Sequence, residues 1–182
     1  DEVRAKDVNA MFADSAVQAI ICTRGGYGSG RILPMLDMKL IRSRPKIFIG
    51  YSDITALQMA ILRKTGLISF AGPMLAADLS SELDNLTDRS FWPMLTRPNG
   101  RRRLYAGDGP VSGFAAPGIS EGTLVGGNLT VLTTLLGTPY EPDWTGAILF
   151  LEDIGENVYK IDRMLAHLRN AGVLDRLAGV LL

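Results

Sequence analysis

Histidine and cysteine occur once each in the 182 residues, as His167 and Cys22. One cysteine cannot close a disulfide within the chain and has no companion thiol for a metal site. Placed in the apolar run "AIICT", Cys22 reads as a small core residue, the usual environment of a free cysteine. His167 lies in an arginine-flanked amphipathic segment beside its apolar stripe, where a surface or boundary role is the simplest account. Net charge is absent as well, since 19 basic residues balance 19 acidic ones. That balance removes the electrostatic case for non-specific binding to nucleic acid or to an anionic membrane, and it suits a small neutral or zwitterionic ligand. No apolar run approaches the roughly 18 residues of a membrane span. The acidic opening "DEVRAKD" has no signal-peptide character, so the expected compartment is the cytoplasm.

What the chain does contain is a series of short apolar runs that read as buried strands: Ala19–Thr23, Lys46–Tyr51, Leu67–Gly72, Ala147–Glu152 and Ala178–Leu182. Between the first three, apolar residues recur at helical spacing, as in Ile32, Leu33, Leu36 and Leu40, then Ile54, Leu57, Ile61 and Leu62. Strand and helix alternating in this way predict an α/β protein with parallel βαβ units. Arg97 to Glu121, rich in glycine, proline and charge, reads as an interdomain connection with a short hairpin of its own. Beyond it "NLTVLTTLL" predicts a helix. "YKIDRMLAHLRNAG" predicts an amphipathic helix striped by Ile161, Met164, Leu165 and Leu168, and Gly172 is its C-terminal cap. The chain opens in a helical pattern and closes inside the apolar run "LAGVLL", so both ends read as those of an internal segment of a longer polypeptide.

Three motifs carry chemistry. The turn "RGGYGSGR", Arg24 to Arg31, joins a strand to a helix, where backbone N–H groups converge on an anion. As a dinucleotide fingerprint it fails, because the third glycine of G-x-G-x-x-G falls on Arg31, and no Gly-Lys-Ser/Thr phosphate loop is present. The same glycines can supply N–H donors to an oxyanion. In "PKIFIGYSDITAL", Ser52 stands at a strand-to-helix bend that parallel pairing brings near Gly25 and Gly26. Such a bend exposes a nucleophilic hydroxyl and aligns the next N–H, that of Asp53, with an oxyanion. Ser52 or Asp53 serving only as a helix cap is the other reading of this pattern. "LEDIGE" ends a strand on Glu152, a carboxylate that can orient a histidine or bind an ammonium. Asp153 and Glu156 are also spaced as a capping box for the helix that follows.

Taken together, "AIICTRGGYGSGRILPMLD", "PKIFIGYSDITAL", "FAGPM", "GTLVGGNLTVLTTLLGTPYEPDW" and "ILFLEDIGENVYKIDRMLAHLRNAG" resemble, in order and over nearly the whole chain, the LD-carboxypeptidase family of serine peptidases. That family includes the microcin C immunity peptidases. The resemblance implies a flavodoxin-like parallel-sheet N-terminal domain followed by a smaller α/β C-terminal domain, both incomplete. Residues 1–96 would carry the nucleophile and lack a first strand, residues 97–121 would form a linker, and residues 122–182 would stop short of the catalytic histidine. It also implies Ser-Glu-His chemistry on an L,D amide, with Ser52 as nucleophile and Glu152 as the orienting carboxylate. Gly25, Gly26 and Asp53 would line the oxyanion hole and hold substrate. His167 falls on a helix the family shares but not at its catalytic position, and Ala71 stands where many relatives carry histidine.

The implied substrate is a small peptide with an L,D bond, such as cytoplasmic murein tetrapeptide losing its terminal D-alanine in peptidoglycan recycling. A peptidyl-nucleotide antibiotic of the microcin C type is the alternative. From a different class, the chain could be a non-catalytic module that holds a carboxylate or phosphate on the glycine turn. The resemblance implies a homodimer that needs no metal and no organic cofactor and has neither nucleic-acid nor membrane partners.

Overall fold

A computed structural model describes residues 1–96 and 118–182. Helix α1 (Glu2–Ala13) leads into β1 (Ala19–Ile21), then α2 (Ser29–Ile32), a 3-10 turn at Leu33–Met35, and α3 (Met38–Ser43). The predicted helix through Ile32 and Leu40 is therefore broken. Pro34 lacks the N–H that would extend α2, and Asp37 begins α3 afresh by accepting from Lys39 N at 3.0 Å and Leu40 N at 2.9 Å. Strand β2 (Ile47–Gly50) passes through a 3-10 turn, Ser52–Ile54, into α4 (Thr55–Thr65). After it come β3 (Phe70–Ala71) and α5 (Asn85–Thr96). The second half contains β4 (Leu124–Asn128), α6 (Leu129–Thr133), β5 (Ile148–Glu152), α7 (Val158–Asn170) and β6 (Gly179–Leu181).

The strands form two three-stranded parallel sheets in sequence order, β1-β2-β3 and β4-β5-β6. The mixed α/β fold is the one expected. Each predicted strand is present but shorter, most clearly the last of the first sheet, where Leu67–Gly72 shrinks to a two-residue β3. Strand β4 and helix α5 were not foreseen, because paired glycines mask the first and Pro93 interrupts the second. The expected hairpin falls on residues 97–117, outside the described residues, and 118–121 form neither helix nor strand.

One hydrophobic core serves both sheets, and α4 is what joins them. Every residue from Thr55 to Ile61 is buried, so the helix is covered on all sides rather than along one stripe, as befits a helix inside a core. Phe48 and Ile61 on one side and Val125, Leu132 and Leu149 on the other belong to the same cluster. Helix α7 packs one face on this core and ends as predicted at Gly172, whose φ is 69°. Val173 N donates to Leu168 O at 3.0 Å and Gly172 N to Arg169 O at 2.9 Å, with Leu168 and Val173 both fully buried.

Candidate active site

Ser52 is, among the described residues, the one non-glycine residue with positive φ, at 61°. A side chain in that region costs about 1–3 kcal/mol and persists where its surroundings hold it. The neighbours that hold it are identifiable. A Cβ on Gly25 would lie 3.0 Å from Ser52 Cβ and 3.1 Å from its Oγ, so glycine lets the β1 turn close on the serine without displacing it. A Cβ on Gly50 would come within 2.8 Å of the Ile54 side chain, which folds the turn back on its own strand. Neither Ser52 nor Asp53 caps α4, whose N-cap is Ile54 without a side-chain hydrogen bond. This corrects the capping reading. The Asp53 carboxylate is buried and accepts from Ser29 N at 2.8 Å, which ties the glycine turn to the serine turn.

The backbone of Gly25 thus lies against the serine turn, the Asp53 nitrogen 3.6 Å from the position a Gly25 Cβ would take. Gly26 adopts φ 119°, a conformation that favours glycine, and a Cβ there would meet the Arg24 side chain at 3.8 Å. The N–H of Ser29, the first residue of α2, is committed to the Asp53 carboxylate.

Glu152 ends β5 at the wall of a cleft of about 370 Å³. Tyr51, Thr55, Gln58 and Asp78 line the same cleft, whereas Ser52, Asp53, Gly25 and Gly26 are not among its lining residues. Glu152 Oε1 is buried and without a hydrogen-bond partner among the described residues. Burial raises its pKa above the ordinary carboxylate value, the Asn128 amide pulls it back part-way, and the Asp153 charge adds to the rise. The neighbouring carboxylates are otherwise engaged. Asp153 Oδ2 accepts from Thr130 N at 2.9 Å and Thr130 Oγ1 at 2.7 Å, fastening the start of α6. Burial pulls its pKa up, but the hydrogen bonds from Thr130 and Ile154 outweigh this and leave it lowered. Glu156 pairs with Lys160 at 2.9 Å. No capping box forms, because the N-cap of α7 is Asn157, which makes no side-chain bond.

Sequence models of the LD-carboxypeptidase N-terminal domain and of the LD-carboxypeptidase C-terminal domain match residues 1–72 and 121–182. The chain belongs to the LD-carboxypeptidase family. It is 45% identical over 182 residues to a probable murein peptide carboxypeptidase of Bacillus subtilis (strain 168), covering 100% of this chain and 56% of that protein. With the microcin C7 self-immunity protein MccF of Escherichia coli the identity is 33% over 207 residues, covering 98% of this chain and 59% of the relative. The crystal structure of a muramoyltetrapeptide carboxypeptidase from Oxalobacter formigenes superposes with a TM-score of 0.84 at 34% identity, over 98% of this chain and 59% of that one. The chain therefore spans less than two thirds of the length of these relatives.

Within this member of the LD-carboxypeptidase family, several groups in or beside the cleft went unread in the sequence. Tyr51 OH donates to Asp78 Oδ1 at 3.1 Å, and Asp78 Oδ2 accepts from Met74 N at 2.8 Å. Burial, then the Asp78 hydrogen bond and the Asp78 and Glu152 charges, raise the tyrosine pKa and keep it a donor. Gln58 Nε2 donates to Gly50 O and Phe70 O, both at 2.9 Å, holding together the strand ends beneath the serine. Asn128 pairs in register with Glu152. None had a sequence signal except Asn128, which directly precedes a helix and caps it through Val131 N at 3.1 Å. His167 is exposed on α7 and does not line the cleft. Burial pushes the Cys22 thiol up to about 11, which makes it an inert, half-buried neighbour of the core. Among the described residues no group of three His, Cys, Asp or Glu side chains could hold a metal ion, and no helix is long and apolar enough to cross a membrane.

Proposed function

We propose that this chain carries the nucleophile and the orienting carboxylate of a serine carboxypeptidase that hydrolyses an L,D amide, releasing the terminal D-alanine of murein tetrapeptide in the cytoplasm during peptidoglycan recycling. What supports this most is the left-handed Ser52, held against Gly25 on a strand-to-helix turn whose flanking residues Tyr51 and Thr55 line the same cleft as Glu152. A relative's name agrees, since the Bacillus subtilis protein is called a probable murein peptide carboxypeptidase.

In this reading Ser52 Oγ attacks the carbonyl carbon while its proton passes to a histidine imidazole oriented by Glu152. The carbonyl oxygen becomes an oxyanion held by the N–H of Asp53 and one from Gly25 or Gly26, each donor lowering the barrier by about 2.7–4 kcal/mol. The imidazolium returns the proton to the departing amine of D-alanine, and water then cleaves the acyl-enzyme by the same route in reverse. His167 is on the wrong surface to serve, so the reading takes the base from outside residues 1–182. No metal or organic cofactor enters any step, and the assembly proposed is a homodimer.

A peptidyl-nucleotide amide is the second reading, favoured by the 33% identity to the microcin C7 self-immunity protein. The two are separated by incubating the polypeptide that carries this chain with each substrate and measuring D-alanine or aminoacyl-nucleotide cleavage by mass. D-alanine release that disappears in Ser52→Ala supports the peptidase. Undiminished release in that variant overturns it, and specific binding without turnover of either substrate favours a non-catalytic module.

A further inference from the structure

We propose that Thr55 is a positioning residue whose buried hydroxyl fixes the turn carrying Ser52 against the strand end carrying Glu152. The inference rests on the reading that those two side chains act on one substrate. Thr55 is 1% exposed, so its hydroxyl serves the protein interior and not solvent. Its Oγ1 accepts from Asn128 N at 3.1 Å, a bond between residues 73 positions apart that links α4 to the end of β4. Asn128 is the register partner of Glu152. One residue earlier, a Cβ on Gly127 would lie 2.5 Å from Thr55 Oγ1 and 2.8 Å from its Cγ2. The backbone of β4 therefore rests on the threonine side chain itself, and Ser52 stands one 3-10 turn before it.

This contact crosses between the two sheets at the level of the cleft, where both the hydroxyl and the methyl have a partner. The two are separable chemically. Valine keeps the shape and loses the acceptor, leaving a buried N–H unpaired. Serine keeps the acceptor and loses one methyl. An N–H left without its partner draws the end of β4 away from the serine turn, and a misplacement of about 1 Å costs roughly 10²-fold in rate.

The test measures D-alanine release from murein tetrapeptide by the polypeptide that carries this chain. Thr55→Val is expected to lower kcat roughly 10- to 100-fold with KM little changed, and Thr55→Ser to recover most of that loss. Because the valine variant strands a polar group, Thr55→Ala is measured beside it. The alanine removes the hydroxyl and the methyl together, so the end of β4 loses the side chain it rests on; a water taking the Asn128 bond keeps the variant folded, while kcat should fall with KM little changed. Wild-type kcat in the alanine variant overturns the inference. So does a serine variant as impaired as the valine one, which would show that keeping the acceptor does not restore the turn. Ser52→Ala keeps the failures apart. If it still releases D-alanine, the nucleophile assignment falls and the inference with it; if it is inactive while Thr55→Ala retains full kcat, the positioning role alone is wrong.

Discussion

Ser52 is the strained residue of the candidate site. Its φ of 61° suits glycine, whose α-carbon meets no steric penalty there. Ser52→Gly should therefore melt higher than Ser52→Ala, by about 1–2 kcal/mol of relieved strain, while both lack hydrolytic activity. Equal melting temperatures would mean that the turn relaxes once the hydroxyl is gone. Glu152 gives the pH counterpart. Burial raises its folded pKa above the unfolded value, so its proton favours the folded state, and stability present below the unfolded pKa is lost as pH rises through the folded one. Glu152→Gln should accordingly raise the melting temperature at neutral pH, and this advantage should vanish below the ordinary carboxylate range. Asp153 has the opposite sign, since its lowered pKa makes its stabilising contribution disappear as pH falls.

At the scale of elements, β4 meets α4 without room for a side chain. Gly127 combines φ 138° with a would-be Cβ inside the radius of Thr55. Gly127→Ala is expected to destabilise by about 1–3 kcal/mol or more through overpacking and backbone strain. Gly30→Ala in α2, where a Cβ meets nothing within 4 Å, should remain within about 0.5 kcal/mol of the wild type. Chemical denaturation of the two variants side by side checks the contrast, and similar losses at both sites would show that β4 can slide. Loss of the α6 tether in Asp153→Ala should cost about 0.5–2 kcal/mol, the range for a helix N-cap.

For the molecule as a whole, the shared core makes α4 the common wall of two sheets. Ile61, fully buried in that helix, should cost about 2–5 kcal/mol when cut to alanine. Hydrogen exchange should then accelerate in β2 and β5 together. Acceleration confined to the first sheet would show that the halves fold independently despite their contact. Residues 1–182 expressed alone should turn over murein tetrapeptide very slowly, retaining only the roughly 10³–10⁴-fold acceleration that binding and an oxyanion hole supply without a base. Robust D-alanine release by that pure chain would move attention to His167.

Much of this was written locally in the sequence. Apolar runs such as "KIFIG" bury themselves as parallel strands, and Gly172 ends its helix as the residue able to take a left-handed cap. The order of motifs was enough to indicate the family. Position along the chain could not say which of three nearby carboxylates faces the cleft, because that depends on Thr130 claiming Asp153 and Lys160 claiming Glu156. Nor could it show that Asp53 is spent on Ser29, that Tyr51 leans on Asp78, or that Thr55 holds Asn128. Backbone propensity and hydrophobic period act between near neighbours and so are legible in sequence. The partners of a polar side chain are decided only when distant segments pack, since a buried hydrogen bond forms wherever the fold brings donor and acceptor within about 3 Å.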